Sequence, residues 1–387
     1  MNNKLKESLR LVGINLLILL IIAILPSFIL YIYRSSRYLK KTIIDSFSEN
    51  FIDERVSYPI YLDKKQANEL FLNSKQVEYT YKSFVGWEAN HLNSKYFNIS
   101  GKYNTRESIG QSLKNSTWFF GDSTMEGTGS SDEGTIPSLF SINTNKKVMN
   151  FGTSAYTTRQ SLNQLISILS DGNKPETIIF YSGISDVVVE CRSEYLTQPT
   201  NVREFKFNKS IEESKNKNII LSRLIDIVSE PYVKVVKKIK NSNTSLKEFN
   251  CDTNSSKANN IASHFVQNLY TAYLLSKSYN VNFYAVLQPN LFSTNADYYY
   301  FSKNEKDKLP ILKKQFDYMY TIFIEKIKLK CKINPSFCYS FIDGSKWIDS
   351  KSIVFIDAYH VTEKGNSQIV KNLISEMNKL KIINNKF

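Results

Sequence analysis

Residues 117–124 read TWFFGDST, a short β-forming apolar run followed by glycine, aspartate and serine. A serine placed straight after an apolar strand, at the start of a helix, is exposed at the carboxyl edge of a parallel sheet. That is where such sheets bind their ligands. Its backbone N–H can point at a developing oxyanion. Alone, Gly121-Asp122-Ser123 is a weak signal, because Asp-Ser is also an ordinary turn or helix N-cap. Its weight comes from what surrounds it. Gly127 and Gly129 keep the following loop open.

Outward from this stretch, β-rich apolar runs alternate with helical patterns. This is the rhythm of a parallel sheet with crossover helices. Strands are expected at 117–120, 147–151, 177–181, 281–287 and 338–342, and helices at 159–169, 259–278, 309–329 and 365–380. In the last helix Ile369, Leu373 and Met377 recur every four residues. Residues 187–258 interrupt the rhythm as a polar, Lys-rich insertion, with one amphipathic stretch at 219–239. Residues 34–115 show weak periodicity and several tyrosines, and are expected to pack on the main domain (116–387) as a lead-in.

The loops after the later strands carry the remaining candidates. Asn150-Phe151-Gly152 follows the second strand, where a glycine lets the backbone approach a ligand and offers an N–H. Gly183-Ile184-Ser185-Asp186 follows the third, with a polar side chain at 185. Near the C-terminus stands Asp357-Ala358-Tyr359-His360, in a loop before a helix. The chain has 3 histidines, and His360 alone stands in a loop before a helix with an aspartate three residues earlier. Such a partner orients an imidazole base and stabilises the imidazolium. His91 and His264 have no such setting.

Taken in order, GDS, N-x-G, G-x-S-D and D-x-x-H resemble the blocks of the SGNH, or GDSL-type, hydrolase family, over roughly residues 84–380. Residues 135–139 (TIPSL) and 286–289 (VLQP) are further echoes of its membrane-anchored bacterial members. The resemblance implies a three-layer α/β/α sandwich with a mostly parallel, flavodoxin-like sheet. It implies Ser123 as nucleophile and first oxyanion donor, Gly152 as a second donor, Asp357 as acid and His360 as base. Ser185 stands where the family usually has asparagine. Losing one oxyanion donor costs about 3–4 kcal/mol of transition-state stabilisation, and a serine hydroxyl is a shorter donor. The expected enzyme is a serine esterase acting on acyl groups of a glycan or lipid, with no metal or organic cofactor. The alternatives are an O-acyltransferase modifying an envelope polysaccharide, alongside polysaccharide-biosynthesis partners, and a non-catalytic binding protein that keeps the fold.

Residues 11–33 carry no charge and are long enough to span a bilayer. They are read as an uncleaved anchor after a short cytoplasmic tail (1–10), because a signal peptide is shorter and has a cleavage site. Basic residues flank both sides nearly equally. A long C-terminal domain translocates regardless of that count, so an extracytoplasmic domain, periplasmic or cell-surface, is expected. The four cysteines are even in number and suit two disulfides in an oxidising compartment, with three pairings open. The formal charge of +14 has no dense basic block and belongs to a Lys-rich composition rather than to nucleic-acid binding.

Overall fold

The computed structural model describes residues 10–15, 53–193 and 249–384. Most of the expected anchor and all of the amphipathic stretch at 219–239 lie outside them. Residues 10–15 are helical, with Leu11, Val12 and Ile14 exposed. Among the described residues no helix is long and apolar enough to cross a membrane.

From residue 53 the chain makes a 3-10 turn (Glu54–Ser57) and helix α1 (Lys64–Lys75), each begun by an aspartate side chain that accepts a backbone N–H. An antiparallel hairpin follows, β1 (Tyr79–Lys82) with β2 (Gly86–Ala89), then the short pair β3 (Ile99–Ser100) and β4 (Thr105–Arg106). Next come β5 (Ser116–Gly121), α2 (Ser123–Glu126), α3 (Ile136–Thr144), β6 (Lys147–Asn150), α4 (Thr158–Ser170), β7 (Thr177–Ser182) and α5 (Ile184–Val188). The described chain resumes with α6 (Ser255–Ser278), β8 (Asn282–Leu287), α7 (Leu291–Thr294), α8 (Lys303–Lys306), α9 (Leu309–Ile333), α10 (Pro335–Cys338), β9 (Phe341–Asp343) and α11 (Glu363–Asn384).

The main sheet has 7 strands in the order β3-β4-β6-β5-β7-β8-β9. From β6 to β9 every pairing is parallel, and β3 and β4 add an antiparallel edge. The parallel strands therefore run second, first, third, fourth, fifth, the flavodoxin-like order. The chain reverses direction between β5 and β7, so right-handed crossovers put α3 on one face and α4, α6 and α9 on the other. The packing agrees: α6 lies against α4 and α9, and α11 lies against α3. The crevice where the order reverses opens at the carboxyl end of β5, directly before Ser123.

Strands covered on both faces have no polar side to show, which is why they read as continuous apolar runs. Trp118, Phe119 and Phe120 on β5 and Ile178, Ile179 and Phe180 on β7 are fully buried. Each such side chain contributes about 1.5–3 kcal/mol of transfer free energy. The last strand starts later than expected, at Phe341 rather than 338. Pro335 opens a helical turn there, and Cys338 ends it, bonded to Cys331. The second disulfide joins Cys191 to Cys251 across the insertion. No free cysteine is left.

Candidate active site

Ser123 is the first residue of α2. Asp122 caps that helix: its Oδ1 accepts the Thr124 N–H at 2.9 Å and the Thr124 hydroxyl at 2.7 Å. Gly127, at φ 94°, ends the helix after one turn. A Cβ at Gly121 would lie 2.5 Å from the Tyr181 carbonyl oxygen, so only glycine lets β5 pass β7 this closely.

The loop from 355 to 361 brings His360 to this serine. His360 Nε2 lies 2.7 Å from Ser123 Oγ, and His360 Nδ1 lies 2.7 Å from Asp357 Oδ2. A carboxylate is an acceptor, so Nδ1 carries the proton in the neutral ring. Nε2 is then the acceptor for the serine hydroxyl. The D-x-x-H spacing works because Asp357 Oδ1 accepts the N–H groups of Tyr359 (3.0 Å) and His360 (2.8 Å), folding the turn onto its own carboxylate. The loop is fastened by Ile356 N–H to the His360 carbonyl and by Leu291 N–H to the Ala358 carbonyl, both at 2.9 Å. Burial pushes the Asp357 carboxyl up, but His360, the loop N–H groups and Arg55 outweigh it and bring it down to about 2. Asp357 is thus a stable anion facing the imidazole.

A buried polar cluster joins the strand ends around Asp122. Asp122 Oδ2 accepts the Ser185 N–H at 3.1 Å. Gln288, fully buried after β8, accepts the Ile184 N–H at 2.9 Å and donates to Asp122 Oδ1 and the Thr124 hydroxyl. Ser185 is 5% exposed, and its hydroxyl makes no hydrogen bond to another described residue. Asp186 turns away into the core, where it accepts from the N–H and hydroxyl of Thr158.

Gly152 departs from expectation. Its N–H donates to Asn150 Oδ1 at 2.9 Å, so it is not presented to a ligand. The position needs glycine for another reason: a Cβ would lie 2.3 Å from the Glu126 nitrogen and 2.5 Å from the Met125 carbonyl carbon. Beyond it, the turn at 153–156 includes Ala155 at φ 64°. It is held by the Trp87 indole N–H, which donates to the Ser154 carbonyl, and by the Tyr156 hydroxyl, which donates to the Trp87 carbonyl.

Residues 53–115 reach the site at other points that the sequence did not disclose. Arg106 is completely buried. It donates to Asp132 Oδ1 at 2.6 Å and to the carbonyls of Glu126, Tyr96 and Ser130, which fixes the segment after α2. The Tyr79 hydroxyl donates to buried Glu126. Arg55 lies 4.0 Å from Asp357. A buried arginine needs paired acceptors, but nothing local in the sequence reveals which arginine is buried.

A family model described as GDSL-like Lipase/Acylhydrolase matches residues 118–373. No curated protein matches the chain. Among solved structures, a carbohydrate acetylesterase family member from Sinorhizobium meliloti is similar at 11% identity and a TM-score of 0.38, over 68% of this chain and 98% of its own. A member of the lipolytic protein G-D-S-L family from Veillonella parvula gives 9% and 0.36, over 68% and 97%. A GDSL-like lipase from Bacteroides thetaiotaomicron gives 12% and 0.35, over 68% and 88%.

Proposed function

The chain belongs to the GDSL-like lipase/acylhydrolase family and is an SGNH-type hydrolase of esters, and from that premise we propose that Ser123, His360 and Asp357 are its nucleophile, base and acid, acting on acyl groups carried by a glycan or a lipid. The observation that carries this reading is the relay from Ser123 Oγ through His360 to Asp357, at 2.7 Å for each contact.

The chemistry follows from those contacts. His360 Nε2 takes the Ser123 proton as Oγ attacks the ester carbonyl. The oxyanion meets the Ser123 N–H, which makes no hydrogen bond to another described residue, and the Ser185 hydroxyl supplements it. The C–O bond of the ester breaks, and the departing alkoxide takes the proton from Nε2. Water then gives its proton to Nε2 and attacks the acyl-enzyme, and the acid leaves as Ser123 regains its proton. Asp357 holds the ring in the productive tautomer throughout.

The proposal extends to an extracytoplasmic domain anchored by residues 11–33. The two disulfides support the oxidising compartment, and the uncharged stretch supports the anchor.

The test is turnover of a short-chain chromogenic acetate ester by the purified full-length chain. Ser123→Ala is expected to lower kcat by at least about 10³-fold, given the loss seen when a triad member is removed. A fluorophosphonate is expected to label wild-type Ser123 and not the variant. Absent turnover together with absent labelling would sink the assignment. Acyl groups appearing on an added glycan, rather than as free acid, would turn the reading to a transferase.

A further inference from the structure

A cation from far upstream lies against the acid of the triad. Arg55 Nη1 is 4.0 Å from Asp357 Oδ2, the same oxygen that meets His360 Nδ1. Residue 55 stands outside the family match at 118–373. The guanidinium is not a wandering surface group. Asp53 grips it twice, Nε to Oδ1 at 2.9 Å and Nη2 to Oδ2 at 3.1 Å. It also lies 4.0 Å over the Phe71 ring of α1, a cation–π contact. Its side chain is only 20% exposed.

The surroundings decide what this charge does. Asp53 is itself bridged to Lys75 of α1 at 2.9 Å, so one carboxylate serves two cations. Tyr61 and Tyr359 feel the Asp357 charge, and His360 meets Ser123 and the Tyr359 ring; one step further out, Glu363 at the start of α11 acts on Tyr61, and Glu305 of α8 and Asp122 act on Tyr359. Of the groups just named, Arg55 is the cation nearest the acid, and burial weakens the screening of its field. Asp357 must stay ionised to orient the ring, and Arg55 favours that. The same charge opposes the imidazolium, because protonating His360 would add a second positive charge across one carboxylate oxygen.

We propose, resting on the triad assignment above, that Arg55 is a positioning residue that sets the acidic edge of the enzyme's working range: it keeps Asp357 charged and aimed, and it opposes protonation of His360 in the resting state. The sign follows directly. Removing the cation makes His360 easier to protonate, so the base is lost at a higher pH.

The experiment measures kcat/KM against pH for the full-length chain on a chromogenic acetate ester. Arg55→Met is expected to move the acid limb upward by roughly half to one pH unit, the scale of one partly screened charge a few ångströms away. Arg55→Lys is expected to return the limb toward wild type, because the cation is kept. An acid limb that stays in place in Arg55→Met, even with a lower plateau, would mean a merely structural arginine and overturns the proposal. Should that variant not fold, Arg55→Gln, which keeps donors for Asp53, takes its place.

A second readout does not depend on turnover. The chain has 3 histidines, so the His360 ring proton can be identified by NMR through its loss in His360→Gln. Its titration midpoint is expected to rise in Arg55→Met by the same amount, and an unchanged midpoint would count against the proposal. A chain that titrates this way but neither cleaves the ester nor takes the fluorophosphonate would refute the triad assignment and leave only the effect of Arg55 on His360 standing.

Discussion

Ser185 is where this chain parts from the family pattern in a way a single substitution can weigh. Its N–H is committed to Asp122, so the hydroxyl is what remains for a substrate. Ser185→Ala is expected to lower kcat about tenfold with little change in KM, below the 10²–10³ of a full oxyanion donor. Ser185→Asn, with a longer donor, is expected to match or exceed wild type. If kcat in the alanine variant equals wild type, position 185 does not touch the oxyanion. At this scale the sequence disclosed what is chemically local. A serine after an apolar run and a histidine three residues beyond an aspartate carry their meaning in their neighbours. Arg55 carries none, because its partner Asp357 is reached only through the folded chain.

Among elements, Asp186 fastens the start of α5 to the start of α4, where its Oδ1 accepts the N–H and hydroxyl of Thr158. Burial raises its carboxyl to about 6, against the two Thr158 hydrogen bonds and with Asp122 nearby. A raised carboxyl means that the folded state binds the proton more tightly than the unfolded chain does. Stability therefore falls as pH rises from about 4 to 6, and the full cost is present above that window. Asp186→Asn is expected to flatten the melting temperature across pH 4–6, where wild type should lose a few degrees. Parallel curves for the two proteins would exclude this carboxyl as the cause.

Element by element, the parallel strands and the long helices were readable, because burial on both faces leaves an apolar run and helical faces leave a four-residue recurrence. The pair β3 and β4 was not, since two-residue strands have no period to detect. Gly152 shows the limit of a single letter. Glycine announces that space is short, and the neighbour that shortens it turned out to be the backbone of α2 rather than a ligand. β9 starts later than the sequence suggests because apolar Phe337 and Cys338 read equally well as strand or as a helical turn.

Across the whole molecule, the two disulfides close loops of very different size. Cys191 and Cys251 are 60 residues apart, and Cys331 and Cys338 are 7 apart. Loop-closure entropy assigns about 4 kcal/mol to the first and about 2 to the second. Replacing each pair by alanines and measuring the denaturant midpoint should show the larger loss for Cys191 and Cys251. A larger loss from the short loop would rule out chain entropy as the controlling term.

The nucleophile and base proposed above, Ser123 and His360, also lie 237 residues apart, with the serine first. A growing polypeptide thus presents Ser123 long before any group exists to take its proton. On that assignment hydrolytic competence arrives only when the last strand has been made and the loop after it has closed, so an unfinished or C-terminally clipped chain is expected to be chemically silent.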